Sequence, residues 1–474
     1  MIIGGKPLQA LSGKTIDVYS PVDGMVFEHI PRGDAADIDM AVRAARLALE
    51  GAWGQLSALE RGRLMLKLAQ TVADHAEELA LLEARDTGKS MTTARNDMVV
   101  LARYFEYYGS AADKIHGEVI PFLQGYQVNL LREPLGVTAH IIPWNYPAQM
   151  MGRSIGPALA MGNAVVVKPA EDACLSCLRI AELALQVGFP PGALNVVSGL
   201  GEEAGAALAK HPDINFISFT GSNEVGVLIQ QAAALNAVKC VLELGGKSPH
   251  LVFDDANIEL AASTVVRGIV QNTGQTCTAG SRLLVHQAIY DRFLALVAEK
   301  FSKVRVGSPE MNLDCGPVVN QAQQQRVNRY IAQAKASGLK LLAQGQIDAG
   351  VPSQGYYVTP SLFADVPADH PLAQEEVFGP VLAAMPFTDE AQAIALANGT
   401  PYGLLAAVWT ENGGRQQRVA KALKCGQVFV NSFGAGGGVE LPFGGVKRSG
   451  HGREKGFMAL EEMSTTKTVI HFHG

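Results

Sequence analysis

The chain has 474 residues, of which 48% are hydrophobic and 18% are charged, and its net charge is −6. This length predicts a globular protein of two or three domains, and the slightly acidic balance with scattered Lys and Arg argues against a nucleic-acid partner. No segment reaches the ~18 uncharged apolar residues of a membrane span, and the N-terminus does not resemble a signal peptide, so we expect no membrane partner.

Residues 35–110 predict helices, because apolar residues recur there at three- and four-residue spacing. From about residue 126 the pattern changes to short apolar runs that recur roughly every 20–30 residues, each followed by a helical segment. This alternation predicts the α/β class, with a parallel, doubly wound sheet covered by helices. It continues to about residue 440 as a second α/β unit, so we expect a domain boundary near residue 247.

Two β-branched, alternating stretches predict strands that have no obvious partner nearby. They are residues 126–134 (YQVNLLREP) and 465–473 (TTKTVIHFH). Exposed strands usually pair with something, and a neighbouring subunit is one candidate. An edge position in a sheet of the same chain is an equally good interpretation.

The six cysteines are too sparse for a disulfide framework, which favours a reducing cytoplasm. Cys174 and Cys177 form a C-x-x-C motif, but no second motif and no histidine pair accompanies them. Leu175 and Leu178 beside them indicate the buried face of a helix, so we interpret both thiols as structural. The histidines are isolated and lack ligand spacing, and we expect no metal site.

Two stretches at predicted strand ends suit a nucleotide. In FTGSNEVG, Gly221 ends a strand and Ser222 can cap the following helix, whose N-terminus suits an anion. In VVVKPAE, the Glu171 carboxylate near Lys168 can bind both hydroxyls of an adenosine ribose and would repel a 2′-phosphate, which favours NAD over NADP. An ordinary strand-helix turn and a solvated charge pair are the alternative interpretations.

Three further strand ends carry groups suited to acyl transfer. Cys277 lies among small residues in GQTCTAGSR, Glu243 precedes two glycines in LELGGKSP, and Asn145 lies between prolines in PWNYP. A thiol, a carboxylate and a carboxamide at one edge of an α/β structure form a coherent nucleophile, base and oxyanion donor. Each of them alone would more often be structural.

Seven segments, in order, resemble the NAD(P)-dependent aldehyde dehydrogenase superfamily over essentially the whole chain. They are PWNYP, GPALAMGNAVVVKPAE, FTGSNEVG, LELGGKSP, GQTCTAGSR, EEVFGP and PFGGVKRSGHGRE. The resemblance implies a Rossmann-like nucleotide-binding domain, an α/β catalytic domain and a small β bridging domain that makes homodimers or homotetramers. The corresponding ranges are 1–114 with 135–246 for NAD binding, 247–446 for catalysis, and 115–134 with 460–474 for the oligomerisation strands.

The resemblance also implies residue roles. Cys277 matches the nucleophile, Glu243 the general base and Asn145 the oxyanion-stabilising amide. It places the cofactor, NAD with NADP also possible, against Ile141, Trp144, Lys168, Glu171, Gly201, Gly221, Ser222, Leu244, Glu376 and Phe378. The glutamate at position 243 favours hydrolysis to a free acid over transfer to coenzyme A.

The substrate side departs from the family pattern. Ser154 stands where many relatives resemble a relay lysine, and Arg153 matches an arginine that binds a substrate carboxylate in the succinate-semialdehyde branch, although Gln271 replaces the second arginine of that branch. A carboxylate-bearing semialdehyde is therefore one hypothesis, and a broad range of aromatic or aliphatic aldehydes is another. The expected pocket residues are Tyr146, Met150, Arg153, Thr276, Thr278, Phe433 and Phe443.

Two other classes of function remain open at this point. One is a non-catalytic nucleotide-binding protein on the same fold, and the other is a thiol esterase or redox protein that uses Cys277. The first would be favoured if a catalytic position were replaced, and none of Cys277, Glu243 and Asn145 is. The second leaves the nucleotide motifs unexplained.

Overall fold

A computed structural model describes residues 1–434 and 438–474. It has the mixed α/β architecture that the alternating pattern predicts, with two large, mainly parallel sheets. The helices are α1 (Ala35–Glu50), α2 (Ala58–Asp74), α3 (Ala76–Thr87), α4 (Met91–Ala111), α5 (Pro147–Ala160), α6 (Leu175–Gln186), α7 (Ala206–Lys210), α8 (Asn223–Leu235), α9 (Ile258–Val270), α10 (Tyr290–Ser302), α11 (Gln321–Ala336), α12 (Pro371–Gln374), α13 (Glu390–Asn398), α14 (Gly413–Ala422) and α15 (Gly456–Glu462).

The strands alternate with these helices from about residue 137 onward. They are β1 (Ile2–Ile3), β2 (Lys6–Pro7), β3 (Thr15–Tyr19), β4 (Val26–Pro31), β5 (Glu118–Ile120), β6 (Tyr126–Pro134), β7 (Val137–Ile142), β8 (Ala164–Pro169), β9 (Leu194–Val196), β10 (Phe216–Thr220), β11 (Lys239–Glu243), β12 (Pro249–Val252), β13 (Arg282–His286), β14 (Arg305–Val306), β15 (Lys340–Gln344), β16 (Gln346–Ile347), β17 (Ser361–Ala364), β18 (Val381–Phe387), β19 (Leu405–Trp409), β20 (Gln427–Val430), β21 (Gly450–His451) and β22 (Ser464–Phe472).

The first large sheet has eight strands in the order β2-β1-β9-β8-β7-β10-β11-β21. Its five central strands run parallel, whereas β1, β2 and β21 are antiparallel to their neighbours. The β8 strand is buried on both faces, as a continuous Val-rich run predicts for a sheet that helices cover on both sides. The β21 strand returns to this sheet from far along the chain, where Gly450 pairs with Glu243.

The second large sheet has seven strands in the order β15-β17-β18-β13-β12-β19-β20, and only β15 is antiparallel to its neighbour. Leu283 and Val285 of β13 pack into one apolar cluster and Leu284 into another. Successive side chains of a strand point to opposite faces, so the sheet has an apolar core on each side. The two large sheets together put many parallel strand ends near one another, and the candidate site lies there.

The two strands that lacked an obvious partner in the sequence pair with each other. In the three-stranded sheet β22-β6-β5, the antiparallel register runs from Ser464 opposite Pro134 to Phe472 opposite Tyr126. Within residues 1–434 and 438–474, the outer edges of β22 and β5 have no strand beside them. The interpretation as an edge strand of the same chain therefore describes β22, and its outer edge is open.

Cys174 and Cys177 are buried, free thiols at the start of α6, which confirms their structural interpretation. Burial raises the pKa of each thiol well above its ordinary value. Over the described part of the chain, no helix combines the length and the apolar character that crossing a bilayer requires.

Candidate active site

A cavity of about 870 Å³ lies where loops from both large sheets meet. Its wall contains Cys277, Glu243 and Asn145, which are far apart in the sequence. Asn145 follows β7, Glu243 is the last residue of β11, and Cys277 lies between α9 and β13. Asn145 and Glu243 thus lie at the carboxyl ends of parallel strands, where ligands bind in open α/β sheets. Cys277, which was also expected at a strand end, lies instead in the loop that precedes β13.

Close contacts between backbone segments fix the position of Cys277. Asn272 and Thr273 have φ of 48° and 56°, and Gly274 has φ of 72°, so the chain makes a left-handed turn before the cysteine. A Cβ atom on Gly274 would lie 2.2 Å from the carbonyl carbon of Gly379, so only glycine fits there. A Cβ on Gly246 would similarly lie 2.4 Å from the Cys277 carbonyl oxygen.

The Cys277 side chain is a thiol at rest. Burial raises its pKa to about 12, although the nearby Arg153 cation opposes the shift. The Thr278 backbone N–H also favours the thiolate. The nucleophile that attacks a carbonyl is the thiolate, so this site needs a proton acceptor near Cys277.

Glu243 is, with Glu376, one of the two carboxyl groups whose charges act on Cys277. Its side chain is buried, and neither carboxylate oxygen has a hydrogen-bond partner among the described residues. Burial raises its pKa well above the ordinary value, and Arg153, whose Nη2 lies 3.8 Å from Glu243 Oε2, opposes this shift. A carboxyl group with a raised pKa is suited to proton transfer near neutral pH.

Asn145 is held rigidly. Its Nδ2 donates to the Gln275 backbone carbonyl oxygen at 2.9 Å, and its backbone carbonyl oxygen accepts from Asn272 Nδ2 at 3.0 Å. An amide nitrogen carries two hydrogens, so one donor of Asn145 remains for a ligand in the cavity. A donor fixed in this way costs no reorganisation when charge develops on a bound oxygen.

Arg153 lines the cavity, but carboxylates of the protein already surround its guanidinium. It forms a buried ion pair with Glu454, lies near Glu243, and packs 4.2 Å from the centroid of the Phe443 ring. Glu454 also accepts a hydrogen bond from Ser218 Oγ at 3.0 Å. The arginine therefore compensates the negative charge of the Glu454 and Glu243 carboxylates.

Ser154 belongs to a chain of uncharged hydrogen-bonding groups that continues from the Ser218 hydroxyl. Its Oγ contacts His140 Nδ1 at 2.6 Å and donates to Ser218 Oγ at 2.9 Å, and His140 Nε2 contacts Thr138 Oγ1 at 2.8 Å. Burial lowers the pKa of His140 to about 3, so this histidine is neutral at physiological pH. The position where many relatives resemble a lysine is thus occupied by a hydroxyl in an uncharged hydrogen-bond chain.

Two predicted cofactor groups lie beside the first sheet. Lys168 Nζ donates to Glu171 Oε2 at 2.6 Å, and the other oxygen of Glu171 accepts from the Gly201 backbone N–H at 3.1 Å. Gly221 follows directly after β10, and Ser222 caps α8 by accepting from the Val225 N–H at 3.3 Å. The helix cap predicted from the sequence is present.

A third group of predicted cofactor residues, Glu376 and Phe378, lies in the wall of the cavity. Glu376 Oε1 accepts from the Gly246 N–H at 2.9 Å, and a Cβ on Gly245 would lie 2.2 Å from the other oxygen of this carboxylate. Burial raises the pKa of Glu376 to about 7. Phe378 meets Trp144 edge to face, with ring centroids 5.3 Å apart.

The expected substrate residues surround the remaining space. Tyr146 and Thr276 join their hydroxyls at 2.9 Å, and Met150 Sδ contacts Arg153 Nη1 at 3.6 Å. The predicted residues that line the cavity are Cys277, Glu243, Asn145, Trp144, Gly221, Ser222, Leu244, Glu376, Phe378, Tyr146, Met150, Arg153, Thr276, Thr278, Phe433 and Phe443. The predicted residues outside its wall are Ile141, Lys168, Glu171 and Gly201.

No sequence pattern singled out Glu454, Lys455 or His140. Glu454 and Lys455 are buried charged residues in the segment GHGREKG, and His140 lies in the β7 strand. Glu454 and Lys455 form a charged pair inside a glycine-rich stretch, and Glu454 has partners far away in the sequence, Arg153 and Ser218. Burial of a charge becomes visible only with its partner.

Comparisons with known proteins agree with this geometry. The family model described as the aldehyde dehydrogenase family matches residues 9–469. An aldehyde dehydrogenase of Emericella nidulans is 44% identical over 471 residues, which cover 99% of this chain and 94% of that protein.

Two solved structures have the same fold. A Burkholderia cenocepacia protein assigned as an aldehyde dehydrogenase is 56% identical with a TM-score of 0.99, and the match covers 100% of this chain and 99% of that one. PnpE of Pseudomonas sp. WBC-3, in complex with nicotinamide adenine dinucleotide, is 42% identical with a TM-score of 0.97, and the match covers 100% and 97%. These matches confirm the α/β fold class and the resemblance in the sequence: the chain belongs to the aldehyde dehydrogenase family.

Proposed function

We propose that this protein oxidises an aldehyde to a carboxylic acid with NAD as the hydride acceptor. One observation carries the proposal: Cys277, Glu243 and Asn145 share the wall of one cavity with Gly221, Ser222 and Glu376. A nucleophile, a base and an oxyanion donor thus lie within the same space as a helix N-terminus suited to phosphate.

The residues suggest the order of events. Glu243 accepts the thiol proton, directly or through water, and Cys277 Sγ attacks the carbonyl carbon to give a thiohemiacetal oxyanion. The free N–H of Asn145 stabilises that oxyanion, and losing one such donor typically costs ~3 kcal/mol of barrier. Loss of hydride leaves a thioester on Cys277. Glu243 releases the thiol proton to solvent, and the ionised carboxylate then activates the water that releases the acid.

The residues present fit a dinucleotide. Gly245 and Gly246 allow close backbone approach between β11 and Glu376, and α8 opens at Ser222 with unpaired N–H groups in its first turn. Glu376 and Phe378 would hold the nicotinamide half, and Lys168 and Glu171 the adenosine ribose. When bound, NAD supplies the hydride acceptor.

We propose NAD rather than NADP as the preferred cofactor. Both oxygens of Glu171 are engaged, by Lys168 and by the Gly201 N–H, so the carboxylate is anchored beside the expected ribose position. These contacts and the Lys168 cation keep its pKa below the ordinary value despite burial. An anchored negative charge disfavours a 2′-phosphate.

For the substrate we propose an aldehyde that also carries a carboxylate, with broad aromatic or aliphatic specificity as the alternative. The sequence pointed to Arg153 as the carboxylate-binding residue. Because its guanidinium faces Glu454 and Glu243, we assign Arg153 to those groups instead. Phe433, Met150 and Tyr146 provide the apolar wall in either case.

We also propose a cytoplasmic homodimer or homotetramer. The open edges of β22 and β5 and the exposed apolar residues Val227 and Leu228 of α8 are surfaces that a second copy can cover. All six cysteines are free, which suits a reducing compartment.

The test is NADH formation by the purified protein with aliphatic, aromatic and carboxylate-bearing aldehydes, with Cys277→Ala as the control. We expect turnover that the variant abolishes, while the variant still binds NAD. Nucleotide binding without turnover on any aldehyde would instead support a non-catalytic protein. Ester hydrolysis that depends on Cys277 but not on nucleotide would support a thiol esterase.

A further inference from the structure

Two hydroxyl groups meet in the wall of the cavity, and the proposed chemistry does not use them. Tyr146 Oη and Thr276 Oγ1 lie 2.9 Å apart, and both residues line the cavity. Tyr146 directly follows Asn145 in the chain, and Thr276 directly precedes Cys277. The hydroxyl pair therefore belongs to the same two segments as the oxyanion donor and the nucleophile.

One hydrogen of this pair has no acceptor among the residues that the structure describes. Each hydroxyl carries a single hydrogen, so two hydroxyls bonded to each other use one hydrogen and leave the other. The remaining contact of the pair is with Gln271 Nε2, which donates to Tyr146 Oη at 3.4 Å and so accepts no hydrogen. The second hydroxyl hydrogen is therefore available to an oxygen atom of water or of a ligand in the cavity.

A buried ammonium group packs over the ring of Tyr146. Lys89 Nζ lies 4.5 Å from the ring centroid, and its ion pairs with Glu83 at 2.8 Å and with Asp97 at 2.6 Å fix the lysine. This cation–π contact holds the ring in place. Burial raises the pKa of Tyr146 above its ordinary value, so the hydroxyl is protonated at physiological pH and can donate. A donor that is already fixed loses little conformational freedom when a ligand binds.

The bond between the two hydroxyls is not needed to join their segments. Asn145 Nδ2 donates to the Gln275 backbone carbonyl oxygen at 2.9 Å, and Asn272 Nδ2 donates to the Asn145 backbone carbonyl oxygen at 3.0 Å. These two bonds already tie the chain before α5 to the chain before Cys277. Apolar side chains could fill the same wall without the cost of desolvating two hydroxyls. The pair therefore calls for a role other than packing.

We propose that the Tyr146 and Thr276 hydroxyls bind a neutral oxygen atom on the second or third carbon of the substrate, the aldehyde carbon being the first. The inference rests on the proposed aldehyde oxidation and narrows its substrate class, with or without a distal carboxylate. The aldehyde carbon must reach Cys277, whose Cα lies about 3.8 Å from that of Thr276, so only an oxygen close to the aldehyde stays near the pair. Neither hydroxyl is charged and Lys89 is engaged by two carboxylates, so a hydroxyl or carbonyl oxygen fits better than an anion.

The experiment compares pairs of aldehydes of equal size in which a hydroxyl replaces a methyl group: hydroxyacetaldehyde with propanal, and 3-hydroxypropanal with butanal. For each enzyme form the readout is the ratio of kcat/KM for the hydroxylated aldehyde to that for its partner. Hydration of an aldehyde in water is the same in every assay, so a change of this ratio between enzyme forms reports on the protein. A neutral hydrogen bond contributes enough that Tyr146→Phe and Thr276→Val should each lower the ratio of at least one pair by roughly 3- to 10-fold.

Matched variants separate recognition of the substrate from an effect on the structure. Thr276→Ser keeps the hydroxyl and should keep most of the ratio. Tyr19→Phe, at a tyrosine of β3 that is 48% exposed, should change neither kcat/KM value. The double variant Tyr146→Phe/Thr276→Val should have a ratio close to that of the lower single variant, because the two hydroxyls act as one donor. Tyr146→Phe keeps the ring and its contact with Lys89, so it serves alone if the valine variant folds poorly.

The failures are distinguishable. If the wild-type protein oxidises no aldehyde, the proposed function is wrong, and this inference is wrong with it. If the protein oxidises aldehydes but Tyr146→Phe and Thr276→Val lower kcat/KM equally for both members of each pair, the hydroxyls serve only the structure. In that case, or if neither variant changes any kcat/KM value, the substrate assignment is wrong while the function stands.

Discussion

At the scale of single residues, the protonation states of Cys277 and Glu243 decide whether the proposed reaction can start. Burial raises the pKa of Cys277 to about 12 and that of Glu243 well above its ordinary value, and the Arg153 cation opposes both shifts. A protonated thiol is a poor nucleophile, and a protonated carboxyl group is no base. Activity therefore needs the ionised form of Glu243, whose raised pKa keeps it protonated at low pH.

The direction in which kcat changes with pH follows from the raised pKa of Glu243. Below its raised folded-state pKa, Glu243 carries a proton and cannot accept another, so we expect kcat to fall as pH decreases through that value. Glu243→Gln should remove this dependence and lower kcat by roughly 10²- to 10⁴-fold. A pH profile of both forms, with exposed Glu118→Gln as the control, checks the prediction, and an unchanged profile would contradict it.

Arg153 should matter for stability as well as for pKa. Arg153→Met leaves the Glu454 carboxylate buried without its cation, which typically costs about 3–5 kcal/mol. It should also raise the pKa of Glu243 further and shift the rate profile to higher pH. Denaturant unfolding measures the first effect, and the double variant Arg153→Met/Glu454→Gln should recover part of the stability. Equal stability of the single and double variants would refute the pairing argument.

Sequence motifs were enough to single out Cys277, Glu243 and Asn145, because each lies at the end of a recognisable strand or turn. Lys455 was not predictable in this way. It directly follows a backbone pairing between Phe443 and Glu454, and this pairing leaves no local periodic pattern in the sequence. The role of Arg153 likewise depended on a partner about 300 residues away.

At the scale of elements, periodicity predicted the helices and central strands because each has one continuous apolar face or run. The β3–β4 hairpin and the two-residue strand β21 were not predicted. The strands of the hairpin are largely exposed, and β21 is too short to carry a pattern, so its pairing is set by the rest of the sheet. The pairing of β22 with β6 also spans most of the chain and could not be read locally.

The β22 strand gives an element-scale prediction. Deleting residues 464–474 removes the nine-residue partner of β6 and one open edge of the small sheet. We expect a smaller assembly by size-exclusion chromatography with light scattering, because that edge is a proposed contact between subunits. The milder variant Val469→Pro should weaken the same pairing, since proline lacks the backbone donor. An unchanged mass for the deletion would exclude β22 from the interface.

At the scale of the whole molecule, a ligand that binds only the folded protein must stabilise it. NAD at about 100 times its Kd should add about 2.7 kcal/mol to the free energy of unfolding. We expect a higher Tm with NAD than with equal NADP, and the same shift in Cys277→Ala, because the thiol is not needed for binding. Glu171→Ala should narrow the difference between the two cofactors, and an equal response of the wild-type protein to both would contradict the role of Glu171.

The β21 strand joins the first large sheet from far along the chain, and this has a consequence for folding during translation. Translation delivers Asn145, Arg153, Glu243 and Cys277 well before β21, which borders Glu243, and before Glu454, which neutralises Arg153. Domains generally fold as they leave the ribosome, N-terminal part first. A product that stops before Gly450 would thus hold the thiol and the base but neither the edge strand nor the counter-charge. Chemistry on reactive aldehydes thus becomes possible only in polypeptides that have been extended past Glu454.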